Sequence, residues 1–204
     1  MRLSRLTIPL GLGALFVPAL AIPLAGLRPA LEPGASVLTS SASAAAFSEV
    51  ARVLRHPRCL NCHPTGDRPH VGDDTRLHAM NVQRGEDDQG RIGQRCLACH
   101  RDENQELARV PGAPHWQLAP RSMAWEGLDD HELAEALKDE AKNGGRSLAA
   151  LREHLAADPL VLWGWNPGVG RQAIPVSHAT FLERFDAWVL GGAVSPEPGL
   201  TTTF

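Results

Sequence analysis

Cys59-Leu60-Asn61-Cys62-His63 and Cys96-Leu97-Ala98-Cys99-His100 are two copies of one pattern, C-x-x-C-H, set 37 residues apart. The pattern is that of covalent haem c attachment. Each thiol forms a thioether to one vinyl group, and the histidine that follows ligates the iron. The two copies use all four cysteines of the 204-residue chain. Two other chemistries employ paired cysteines. A four-cysteine zinc site needs two C-x-x-C pairs, but it ordinarily spans a shorter gap and gives the adjoining histidines no work. Two disulfides in an exported protein leave the same histidines unexplained. The reading that employs every residue of both copies is two covalent haems on Cys59, Cys62, Cys96 and Cys99, with His63 and His100 as proximal ligands.

Upstream, Arg2 and Arg5 precede an uncharged, mostly apolar run over residues 6–27, the outline of an export signal. Pro9, Pro18 and Pro23 interrupt the run, so cleavage is favoured over retention as an anchor. Ala19-Leu20-Ala21 and Ala42-Ser43-Ala44 are the small-residue cleavage candidates. Either outcome places the rest of the chain outside the cytoplasm, in the periplasm, and any membrane attachment is through an uncleaved N-terminal segment. Residues 1–27 are thus a signal peptide or anchor. Residues 28–46, rich in Pro, Ser and Ala, read as a linker or removed segment, and 47–204 as a single domain.

Composition narrows the class. The net charge is −3 and no basic cluster occurs, which argues against nucleic acid as a partner. Glycine and proline are abundant, tyrosine is absent and aromatics make up 5% of the chain. Two buried porphyrins would supply apolar bulk that side chains do not. The expected fold is mainly α: a loop-rich di-haem cytochrome c with short helices packed around two covalent haems. Phe47, Val50, Val53 and Leu54 share one helical face leading into the first motif, with Pro57 ending that helix. Three helices follow the second motif. Asp129 and Glu132 form a capping box for one that runs to about Asn143, where Gly144-Gly145 stop it. Ser147 starts the next and Ser177 the last, whose buried stripe is Phe181, Leu182, Phe185, Trp188 and Val189.

Distal ligands are sought among histidine and methionine. His78 is favoured for the first haem, with Met80 as the alternative. Met123, at the end of a proline-studded loop, is favoured for the second, with His115 as the alternative. Trp116 and Trp125 are expected beside the second haem, and Trp163 and Trp165 against the haem core. At least one of Arg58, Arg84, Arg95 and Arg121 is expected to pair with a haem propionate. The Gly168-Val169-Gly170 run follows no clear strand and opens no helix, so it is read as a turn and not as a nucleotide loop. His154 and His178 read as surface or capping residues.

Residues 56–196 resemble a family of exported bacterial di-haem cytochromes c, those labelled as the cytochrome subunit of isoquinoline 1-oxidoreductase. The resemblance rests on Arg58-Cys59, Cys62-His63-Pro64, Gly66-Asp67, His78, Val82, Arg84-Gly85, Cys96, Cys99-His100 and Asn104. It continues through Leu118-Ala119-Pro120, Met123-Ala124-Trp125, Leu137-Lys138-Asp139, Asn143-Gly144-Gly145 and Trp163-Gly164-Trp165. It implies electron acceptance from a redox partner protein such as a molybdenum hydroxylase. It also implies a departure: family members tend to carry cysteines near Ala134 and Ser195, and this chain has neither, which leaves its terminal helix to be held by packing. Three classes of function follow from two haems. An electron carrier has both irons fully ligated. A peroxidase-like di-haem enzyme keeps one iron open. A sensor needs an output domain, and no such domain is evident.

Overall fold

The computed structural model describes residues 33–204, with side chains from Ser40 onward. The chain is mainly helical and loop-rich. Helices α1 (Pro33–Leu54) and α2 (Pro57–Leu60) lead to a two-stranded hairpin, β1 (His70–Val71) and β2 (Arg76–Leu77). They are followed by α3 (Cys96–Cys99), α4 (Asp130–Lys138), α5 (Leu148–Ala157), α6 (Pro159–Leu162) and α7 (His178–Leu190). The strands pair antiparallel, His70 with Leu77 and Val71 with Arg76.

The first helix begins at Pro33 and not near Phe47. Part of the segment read as linker is therefore ordered helix. The reason lies in side-chain size. Ser43 is buried; its Oγ donates to the Trp188 carbonyl at 2.8 Å and accepts from the Val194 N–H at 3.1 Å. Small residues let α1 approach α7 closely, and the same small residues give the composition of a linker. Beyond Ser43 the apolar face develops as expected, with Phe47, Val50, Val53 and Leu54 all buried. Phe47 packs on Trp188 with ring centroids 4.6 Å apart. Phe181, Phe185 and Trp188 are fully buried on α7, each contributing about 1.5–3 kcal/mol of apolar transfer. Leu182 and Val189 are half-buried at the edge of this stripe.

Local signals set the other boundaries. The Asp129–Glu132 capping box is formed, and Ser147 and Ser177 cap α5 and α7 through their hydroxyls. α4 stops at Lys138, before Asn143. The buried Asn143 side chain donates to the carbonyls of Leu137 and Arg146, taking over a helix-end acceptor from within the following turn. Pro57 does not simply end a helix: as first residue of α2 it starts one, where its missing N–H costs nothing.

The tail after α7 is held by polar bonds as well as packing. Ser195 Oγ donates to Glu135 and accepts from Lys138. His131 Nδ1–H donates to the Pro196 carbonyl. Buried Asp130 accepts from the Thr202 hydroxyl and main-chain N–H and from Arg55. A second ion pair, Arg152 with Asp186, joins α5 to α7. No helix among the described residues is long and apolar enough to cross a membrane. The signal or anchor read over residues 1–27 lies outside them.

Candidate functional site

Each motif is a helical turn. α2 carries Cys59 and runs on through Asn61, and the N–H groups of Cys62 and His63 close on the carbonyls of Cys59 and Leu60. α3 is itself Cys-Leu-Ala-Cys, closed by the His100 N–H on the Cys96 carbonyl at 2.9 Å. The i, i+3 spacing puts both thiols of a pair on one face. All four thiols are free. Burial pushes Cys59 up to about 12 and Cys62 to about 11, and a charge on Cys96 would push Cys62 further. No group of three or more His, Cys, Asp or Glu among the described residues is placed to hold a metal ion. The thiols are therefore not gathered as a four-cysteine zinc site requires.

The two motif histidines share one arrangement. His63 Nδ1–H donates to the Met123 carbonyl at 2.7 Å, and its ring stacks on Trp125 with centroids 3.4 Å apart and planes 9° apart. His100 Nδ1–H donates to the Pro111 carbonyl at 2.7 Å, and its ring stacks on Trp116 at 4.5 Å and 7°. A carbonyl only accepts, so Nδ1 carries the proton in both rings. In the neutral imidazole the lone pair then sits on Nε2. Burial lowers both pKa values, that of His63 to about 4, with the bond to the carbonyl partly opposing. Both shifts favour the neutral imidazole.

One connecting loop serves both motifs. Its near part brings Pro111 and Trp116 to His100. Its far part is sewn to the first motif: the Ala119 N–H donates to the Cys62 carbonyl and the Trp125 N–H to the His63 carbonyl, each at 3.0 Å. Asn104 fastens the near part, its Oδ1 accepting from the Gly112 N–H and from the Trp163 indole. Trp163 also meets Trp116 edge to face. Trp165 lies elsewhere, against His178 and Phe181, with its N–H on the Val176 carbonyl.

Several expected placements change. Trp125 belongs to the first motif, and only Trp116 to the second. Met123 offers its carbonyl to His63, while its side chain is buried in the apolar core. His78 follows β2 and stands against His100, with centroids 6.2 Å apart. Met80 is 76% exposed and His115 is exposed, both with left-handed backbone. His154 Nδ1 faces Asp158 at 3.3 Å, and a charge on it is felt at His63. His178 Nε2 is bonded to the Leu155 carbonyl.

The arginines expected at propionates all hold protein carboxylates: Arg58 with Asp73, Arg84 with Asp88, Arg95 with Asp87 and Arg121 with Asp67. Arg58 and Arg84 nevertheless keep a buried Nε–H without a hydrogen-bond partner. Leaving such a donor unsatisfied costs about 1–3 kcal/mol; Arg84 Nε already faces the Asp67 carboxylate at 4.0 Å, and Arg58 Nε fits an acceptor of the same kind. Apolar Leu77, Met80, Ile92 and Leu97 are exposed along the segments that carry His78 and the second motif, a surface that an apolar macrocycle would cover. Paired thiols on one face and a histidine with an unprotonated Nε2 occur at both motifs, and bare apolar surface at the second; these features fit a covalently held haem.

Family models, curated proteins and solved structures were all compared with the chain, and none matches.

Proposed function

We propose that the chain is a di-haem c-type cytochrome of the periplasm that carries electrons between a dehydrogenase and a further acceptor. The observation that carries this reading is the duplication of one histidine environment: Nδ1–H on a main-chain carbonyl, ring on a tryptophan, Nε2 free, directly after a paired-thiol turn. Residues 11 and 60 positions away in sequence build the same setting at both motifs. Such a setting has a purpose if Nε2 holds a metal.

A bound haem would supply one-electron exchange at its iron. The protein's part is to hold and tune the ligand. Cys59 and Cys62, and Cys96 and Cys99, would each bind one macrocycle covalently. The carbonyls of Met123 and Pro111 fix the tautomer and draw on the Nδ1 proton, which makes Nε2 a stronger donor and favours the oxidised metal. The stacked indoles prevent the rings from turning. The shared connecting loop keeps the motifs neighbours, which suits transfer between two centres. The partner proposed from the family resemblance is a redox protein such as a molybdenum hydroxylase.

The test is the mass and spectrum of full-length protein made in a bacterium that exports it and matures c-type cytochromes. The expected result is two haem masses retained after denaturation. A chain that carries no covalent haem refutes the reading.

A further inference from the structure

We propose that His78 and His100 are the two axial ligands of a single iron, so that His78 completes the second haem and not the first. The inference rests on the di-haem reading and specifies its ligands. It starts from tautomers. His100 Nδ1–H is held by the Pro111 carbonyl at 2.7 Å, and His78 Nδ1 lies 2.8 Å from the Ala79 carbonyl, to which only a protonated Nδ1 can bond. Both rings therefore present an unprotonated Nε2, and no described residue bonds either one.

The separation is the second observation. The ring centroids are 6.2 Å apart and the planes cross at 71°. Two metal–nitrogen bonds of about 2 Å, plus about 1.1 Å from each nitrogen to its ring centre, place the centroids roughly 6 Å apart. Edge-to-face ring pairs span about 4.5–7 Å, so the spacing admits a shared metal, and the two unprotonated Nε2 atoms favour one. Crossed planes are compatible with axial ligands, which are free to rotate about the metal–nitrogen bond.

The local fold holds His78 in place for this. The β1–β2 hairpin ends at Leu77, and the His78 N–H then donates to the Pro69 carbonyl at 2.9 Å, while Arg68 donates to the His78 carbonyl at 2.6 Å. Gln94, two residues before the second motif, donates to the Met80 carbonyl at 2.9 Å and ties the His78 segment to that motif. Leu77 and Met80, on either side of His78 in sequence, are exposed, as are Ile92 and Leu97, before and within the second motif. Exposed apolar side chains on the segments that carry both histidines suit a flat apolar group at the pair.

The experiment uses exported, full-length protein with one attachment site removed at a time. In Cys59→Ala/Cys62→Ala, only the second haem remains. There, His78→Ala should turn a low-spin spectrum into a high-spin one that binds carbon monoxide and returns to low spin with added imidazole. In Cys96→Ala/Cys99→Ala, His78→Ala should leave the remaining haem unchanged. The opposite pattern, or no change in either, overturns the pairing while leaving the di-haem reading intact. Absence of covalent haem in the parent protein overturns both. Should the single-haem proteins fail to accumulate, His78→Ala/His100→Ala in the two-haem protein decides by spin count. One perturbed iron per chain supports a shared iron, and two perturbed irons refute it.

Discussion

His63 Nδ1–H donates to the main-chain carbonyl of Met123, 60 residues along the chain, at 2.7 Å. Methionine at this position therefore bonds the first motif through its backbone, while its side chain is buried in the apolar core.

That division gives the first prediction. Met123→Leu keeps the carbonyl and nearly the same volume, so it should cost under about 1.5 kcal/mol and leave the haem spectra unchanged. Met123→Ala should cost about 2–5 kcal/mol through the cavity it leaves. Denaturant melts and the far-red iron–sulfur charge-transfer band check this together. A band lost in Met123→Leu would make the sulfur a ligand.

Gly112 is the pivot of the second motif's carbonyl. A Cβ there would collide with the main-chain oxygens of Glu103 and Arg101, and nothing soft is available to yield. Gly112→Ala should destabilise by roughly 1–3 kcal/mol and displace the neighbouring Pro111 carbonyl from His100. A weaker Nδ1–H bond makes Nε2 a poorer donor to oxidised iron. Redox titration should then show one of two steps moving to higher potential and the other staying in place.

The early start of α1 predicts how truncation behaves. A chain beginning at Phe47 loses Ser43 and its two buried hydrogen bonds to the α7 region, worth roughly 2 kcal/mol at about 1 kcal/mol each. It should unfold at lower denaturant than a chain beginning at Pro33. Cleavage after Ala44 would likewise cut inside the helix. The mature N-terminus, read by mass spectrometry of the exported protein, should precede Ser43.

Asp130 predicts the acid limb of stability. Burial works against its charge, but hydrogen bonds from Thr202 and then Arg55 outweigh burial and hold its pKa below the usual carboxylate value. A carboxylate depressed in the folded state stabilises fully above its unfolded pKa, about 3.9. That stability is lost as pH falls through the lower, folded value. Melting temperature should therefore drop below about pH 4, with the C-terminal tail releasing first. Asp130→Asn should be less stable at neutral pH, since it leaves Arg55 uncompensated, and should show a flatter acid profile. Proteolysis of the tail as a function of pH reports the release.

How much of this could be read from the chain depended on range. C-x-x-C-H, the Asp129–Glu132 box and the serine caps at 147 and 177 are local chemistry, and the expected helices start where those residues are. The start of α1 was illegible because Ser and Ala are small both in linkers and at close helix contacts. Only the partner, α7, distinguishes the two. The ligand environments were illegible for a related reason. Nothing near His63 or His100 in sequence announces which tryptophan or carbonyl will arrive. One loop serves both motifs, its near part on the second and its far part on the first, which reverses the assignment that proximity along the chain suggests for Trp125 and Met123.

The bond from Ser43 to Trp188 spans 145 residues. It closes the domain like a clasp, with both C-x-x-C-H turns inside the enclosed stretch. Contacts of such long sequence separation form late, because the intervening chain must lose its freedom before they reward it. Until α7 has been made and docked, the cysteines belong to an open chain. If haem is attached at those thiols, the interval before the clasp shuts is when they are most open to it.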